Sequence, residues 1–151
     1  MRQRVKRGST KSGGRRRQGG KSHASYFDRL ANPIGPFSPA VRCNSHGYIY
    51  VSGQIGQSTE TGKLVEGGIE RQTEQVFANL AALLEASQRS FAHVARATVY
   101  LTSMADFAAM NAVYAKHFKA PYPARTTIGV SALPLGANVE IDVVVATAAS
   151  R

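Results

Sequence analysis

Residues 139–145 read Val-Glu-Ile-Asp-Val-Val-Val, and this stretch limits the possible folds more than any other. Its period of two is that of a β-strand, where successive side chains point to opposite faces. Val139, Ile141, Val143 and Val145 share one face, while Glu140, Asp142 and then Val144 share the other. A strand apolar on one face, and apolar again at Val144 on the second, predicts burial on both sides. Helices are expected to cover the first face. The second face is left for another subunit, so association through the sheet follows.

The rest of the chain supplies those helices and further strands. Val41–Cys43 and Tyr48–Ile55 are β-branched and aromatic, and Asn44-Ser45-His46-Gly47 between them is turn chemistry, so they read as a hairpin. A polar loop, 56–68, leads into residues 69–87. There Thr73, Val76, Phe77, Leu80, Leu83 and Leu84 recur at helical spacing. Residues 94–101 predict a third strand. Ser103 and Asp106 open a second helix carrying Phe107, Met110, Val113, Tyr114 and Phe118 on one face, with Pro121 and Pro123 to stop it. Strands over 124–130 and 138–146 close the order β-β-α-β-α-β-β. Short hairpins at both ends with helices between them predict an α+β domain with two helices on one face of a mixed sheet.

Charge is distributed unevenly. The formal net charge is +10, yet nine of the 19 basic residues and none of the nine acidic ones fall within residues 1–25. The remainder carries ten basic and nine acidic groups and is close to neutral. Residues 1–25 have almost no apolar side chain and are expected to be a disordered basic tail, with the folded domain spanning 26–151. Only the tail could therefore support a nucleic-acid partner, through phosphate contacts; a solvated extension is the plainer reading. The tail is Arg- and Ser-bearing without acids, as organelle-targeting segments are, but it lacks an amphipathic apolar stripe. A lone cysteine, Cys43, excludes an intramolecular disulfide framework and a multi-cysteine zinc site, and points to a cytoplasmic, reducing setting. His23, His46, His93 and His117 show no ligand spacing, so no metal is expected, and no apolar run is long enough for a membrane span.

Three segments carry possible chemistry: the rigid loop Ile34–Ala40, the strand Val51-Ser52-Gly53-Gln54-Ile55 broken by a glycine, and Pro123-Ala124-Arg125-Thr126-Thr127 with Glu140 on what reads as the neighbouring strand. On the residues alone, Arg125 and Glu140 fit a structural ion pair or two solvated side chains as readily as a site. Gly53 fits a plain β-bulge equally well.

Taken together, IGPFSPAV (34–41), YVSGQIG (50–56), TEQVFANLAALLEA (73–86), TVYLTSMADFAAMNAVYAKHF (98–118) and PARTTIGVSALPLGANVEIDVVV (123–145) resemble the reactive intermediate deaminase (YjgF/RidA) family. The resemblance implies a chorismate-mutase-like α+β fold and a homotrimer with a barrel-like core and clefts between subunits. It also implies hydrolysis of 2-imino acids, such as 2-iminobutanoate and 2-iminopropanoate, to 2-oxo acids and ammonia without cofactor or metal. Arg125 matches the family's substrate-anchoring arginine and Glu140 its acidic, water-holding residue. Ser52, Gly53, Asn111 and Thr127 match positions lining the site. Phe37 stands where many members have tyrosine, and Thr127 where many have cysteine, which leaves substrate preference open. Some members are labelled translation inhibitors or endoribonucleases, and a non-catalytic, chaperone-like binding trimer is a third reading.

Overall fold

The computed structural model describes residues 23–24, 40–43 and 47–147. The expected disordered tail lies outside them except for its last residues, where His23–Ala24 form a two-residue strand, β1. The 34–39 loop, including Phe37, and the 44–46 turn also lie outside. The other elements are β2 (Ala40–Cys43), β3 (Tyr48–Ile55), α1 (Gly68–Ala86), β4 (Val94–Leu101), α2 (Phe107–Tyr114), β5 (Ala124–Gly129) and β6 (Val139–Ala146). They form one mixed sheet in the order β1-β2-β3-β6-β4-β5, confirming the α+β class.

Within that sheet β6 does not pair with β5, as a terminal hairpin would require. It pairs antiparallel with β3 on one side and β4 on the other. β5 runs parallel to β4 at the edge, reached by a crossover through α2. A helix-bearing connection of this length is what parallel neighbours need, and it leaves β6 the central slot.

The alternation read from residues 139–145 is realised residue by residue. Val139, Ile141, Val143 and Val145 are buried beside Ile49 and Val51 of β3 and Ala97, Val99 and Leu101 of β4. The buried stripe of α1 (Val76, Phe77, Leu80, Leu83, Leu84) and Met110, Val113 and Tyr114 of α2 join that cluster. Phe77 is its centre: its ring stacks on His117 at 4.2 Å and meets Phe91, Tyr114 and Phe118 within 6.0 Å. Phe77→Ala is expected to cost about 3–5 kcal/mol, read as a lowered denaturant midpoint, because four ring partners lose their neighbour at once.

Two local expectations differ in detail. Ser103 does cap, its hydroxyl accepting from the Ala105 N–H, but into a single 3₁₀ turn, Met104–Asp106, that precedes α2. The helix ends at Tyr114 rather than reaching the prolines; Phe118 is nonetheless buried.

The opposite sheet face carries Tyr48 and Tyr50 of β3, Thr98 and Tyr100 of β4, Glu140, Asp142 and Val144 of β6, and Ile128 of β5. No helix among the described residues covers it. Tyr48, Tyr50 and Ile128 are 39%, 50% and 43% exposed, which is high for apolar and aromatic residues on strands.

Candidate functional site

Arg125 sits on the edge strand, in register with Ala97 of β4. Ala97 faces the helices, so Arg125 points to that side too. At the edge its long side chain leaves the core and lies along α2. Its guanidinium carbon stands 4.5 Å from the Tyr114 ring centre and 5.7 Å from that of Phe107. One terminal nitrogen, Nη1, donates to Asn111 Oδ1 at 2.8 Å. Phe107, Asn111 and Tyr114 are spaced by four and three residues and therefore share one face of α2. Aromatic platform and amide together fix the plane of the guanidinium, at a gain of about 0.5–1 kcal/mol for an exposed cation over a ring.

Among the described residues no carboxylate pairs with Arg125; the ion pairs there join Glu74 to Arg71 and to Lys116. A guanidinium has five N–H donors in a rigid fork, so most remain for a ligand. Thr127 lies two residues on, on the same side of β5. Its hydroxyl is buried with no hydrogen-bond partner among the described residues, and so is the phenol of Tyr114. Burial acts first on that phenol and pushes it up, and the Arg125 charge opposes the rise. Buried hydroxyls of this kind normally find a partner.

Glu140 occupies the uncovered face of β6, opposite Tyr100. The pairing of β3 with β6 slips by one residue between Val51 and Gln54, so Ser52–Gly53 form the bulge that the glycine predicted. Gln54 Nε2 braces it, donating to the carbonyls of Ser52 at 3.0 Å and Gly53 at 3.3 Å. The bulge brings the Gly53 backbone against Glu140: a Cβ on Gly53 would overlap Glu140 Oε1. Here glycine is needed for close approach. Burial first, and the charge of Asp142 second, push the Glu140 carboxyl above the usual carboxylate range. Gly53→Ala is expected to displace that carboxyl, read as a changed carbon-13 resonance of Glu140 with unchanged circular dichroism.

Arg125 and Glu140 do not meet within one protomer. The sequence placed Glu140 on the strand neighbouring Arg125, but β4 intervenes. Through β4, Arg125 aligns with Val143 of β6, and Glu140 aligns with Ile128 of β5. The two side chains point to opposite sheet faces. The protomer thus holds the predicted site residues in two separate groups: Arg125, Asn111 and Thr127 at the edge, and Glu140, Ser52 and Gly53 on the uncovered face. Sequence reasoning counted Tyr114 and Phe107 among core residues and missed them as the arginine's platform. The clue was their position, four and three residues either side of Asn111.

The described residues hold no cluster of three or more His, Cys, Asp or Glu fit for a metal ion, and no helix there is long and apolar enough to cross a membrane. The structure is a mixed α+β domain with an edge-strand guanidinium laid on aromatic rings and a separate, partly buried carboxyl. The chain belongs to the endoribonuclease L-PSP family, whose profile matches residues 28–147, and within it to the reactive intermediate deaminase group. It is 43% identical over 121 residues to Protein DfrA of Myxococcus xanthus, covering 80% of this chain and 92% of that protein. It is also 43% identical over 122 residues to Reactive Intermediate Deaminase A, chloroplastic, of Arabidopsis thaliana, covering 81% of this chain and 64% of that protein. The Homo sapiens 2-iminobutanoate/2-iminopropanoate deaminase is 40% identical over 111 residues, covering 74% and 80%. Among solved structures, RidA from the Antarctic bacterium Psychrobacter sp. PAMC 21119 superposes with a TM-score of 0.77 at 38% identity, over 82% of this chain and 98% of that one. E. coli TdcF with bound serine superposes with a TM-score of 0.72 at 28% identity, over 80% and 94%.

Proposed function

We propose that this protein hydrolyses 2-imino acids to 2-oxo acids and ammonia, in a cleft completed when a second copy brings its Glu140 half-site to the Arg125 corner of the first. The observation that carries the reading is the Arg125 guanidinium, held flat by Asn111 and Tyr114 with donors to spare. A fork in that state suits the planar carboxylate of a small acid through two parallel charge-assisted bonds. The relatives named as imine deaminases, and the serine held by TdcF, are consistent with a small ligand bearing a carboxylate.

Anchoring the carboxylate sets the adjacent C=N carbon at a fixed distance from the partner's Glu140. A carboxyl pushed above its usual range acts as acid and base in turn. Glu140 gives its proton to the imine nitrogen. It then takes one from a water as the water oxygen bonds to the carbon. The resulting amino alcohol receives that proton on nitrogen. The C–N bond breaks, ammonia leaves, and the hydroxyl proton returns to Glu140 as the C=O bond forms. No external oxidant, reductant or cofactor is needed for the balance.

Assembly through the uncovered sheet face accounts for the exposed Tyr48, Tyr50 and Ile128 and for Val144, and a closed trimer is the symmetric solution that buries all three faces. The endoribonuclease name draws no support from charge: outside residues 1–25 the chain has ten basic and nine acidic groups. A coupled assay tests the proposal. Threonine dehydratase generates the imine, and 2-oxo acid release is followed with and without this protein. Acceleration proportional to protein concentration is expected; an unchanged rate refutes the reading.

A further inference from the structure

One cluster of titratable groups is not used by the mechanism above. Asp142 lies two residues beyond Glu140 on the same face of β6, and same-face neighbours on a strand sit about 7 Å apart. Tyr100 stands directly across from Glu140 on β4, yet its phenol reaches diagonally and donates to Asp142 Oδ2 at 2.9 Å. Thr98 is directly across from Asp142. The phenol thus holds Asp142 by one carboxylate oxygen, on the face of β6 that Glu140 shares.

The other groups on this face are few. β4 contributes Arg96, in register with Val144, beyond Asp142 as seen from Glu140. β3 contributes Tyr48 and Tyr50, in register with Ala146 and Val144. β5 presents Ala124, Thr126 and Ile128, none of which titrates. Neither carboxylate is ion-paired among the described residues. Among the described residues of one protomer, Asp142 is therefore the one acidic neighbour of Glu140 on the face, held by the Tyr100 phenol and in no ion pair; in the proposed assembly the Arg125 of the neighbouring copy faces Glu140 across the substrate.

We propose that Asp142, held by Tyr100, is a positioning residue that acts through Glu140, its negative charge opposing loss of the proton that Glu140 gives to the imine. The inference rests on the imine-hydrolase reading for its catalytic meaning but not for its physical content. Two like charges at this separation, partly shielded from water, oppose each other's ionisation. Removing the charge of Asp142 lets Glu140 lose its proton at lower pH. The active protonated form then disappears earlier as pH rises.

The test has two readouts. In the Asp142→Asn protein, kcat/KM for 2-iminopropanoate generated in situ is expected to fall about tenfold on the alkaline limb of the pH profile, with a much smaller loss on the acid limb. Asp142→Glu, which keeps the charge, is expected to restore most of the alkaline-limb rate. Carbon-13 titration of the Glu140 carboxyl, which needs no substrate, is expected to show a midpoint at lower pH in Asp142→Asn than in the unsubstituted protein. Tyr100→Phe gives a folded alternative should Asp142→Asn fail to fold, with a shift in the same direction but smaller. An equal fractional loss at every pH, or an unmoved Glu140 titration, overturns the proposal. A moved titration in a protein without imine hydrolysis supports the coupling and refutes the proposed reaction instead.

Discussion

Arg125→Ala is expected to lower kcat/KM for 2-iminobutanoate by ~10²–10³-fold while the protein still folds and assembles. Two charge-assisted hydrogen bonds to a carboxylate contribute about 3–4 kcal/mol together, and each 1.4 kcal/mol is a factor of ten. The fold has little at stake, because Arg125 is an exposed side chain on the edge strand whose contacts are one hydrogen bond and two ring faces. Loss of such contacts costs roughly 1 kcal/mol or less. Arg125→Lys separates charge from geometry. An ammonium keeps the attraction but lacks the fork, cannot lie flat on Tyr114 and reaches Asn111 differently, so a loss of at least ~10-fold is expected. Steady-state kinetics beside a thermal melt decide the matter. Full activity in Arg125→Ala, with the melt unchanged, removes the substrate anchor and with it the proposed reaction.

The second large effect is a recovery. Arg125→Ala and Glu140→Gln proteins, each inactive alone, are expected to regain about a quarter of the unsubstituted activity when unfolded together and reassembled in equal amounts. The reasoning is geometric. Within one protomer the two side chains lie on opposite faces of the sheet, so a working cleft must take them from different copies. In a closed trimer with three such clefts, any mixed assembly has one cleft built from two intact halves. Random mixing makes three trimers in four mixed, and a third of the clefts in each works, which gives about one quarter. Absence of any recovery, with mixed assemblies verified by mass spectrometry, shows that each cleft draws both groups from a single chain.

How far the sequence reveals this arrangement depends on the kind of information each residue carries. A strand's alternation states which face is buried, and Val139, Ile141, Val143 and Val145 declare theirs fully. It says nothing about lateral neighbours, so the same alternation is compatible with β6 beside β5 or between β3 and β4. The better guide was the connection between β4 and β5: a helix between two strands makes them parallel and adjacent, which excludes β6 from that gap. The glycine at 53 announced a bulge because an isolated glycine in a strand has few other uses. That the bulge serves the Glu140 carboxyl required the register. Tyr114 was legible as a core residue and is one; its second use, beneath Arg125, depends on how β5 lies along α2. The bond between Tyr100 and Asp142 was not legible, since a phenol and a carboxylate 42 positions apart meet only after β6 has entered the sheet.

That late entry has a cost for the cell. The strand at the middle of the sheet is the last to be synthesised among these elements, and its partner β3 precedes it by about ninety residues of chain. Until the ribosome releases the segment around Val145, the inward faces of β3 and β4 and the stripe of α1 have no central layer to close on. A nascent chain of this design exposes oily surface throughout its synthesis and depends on shielding by chaperones in that interval. A premature stop ahead of residue 139 removes the keystone rather than a fringe, so it yields an aggregating fragment for proteolysis and not a weakened protein.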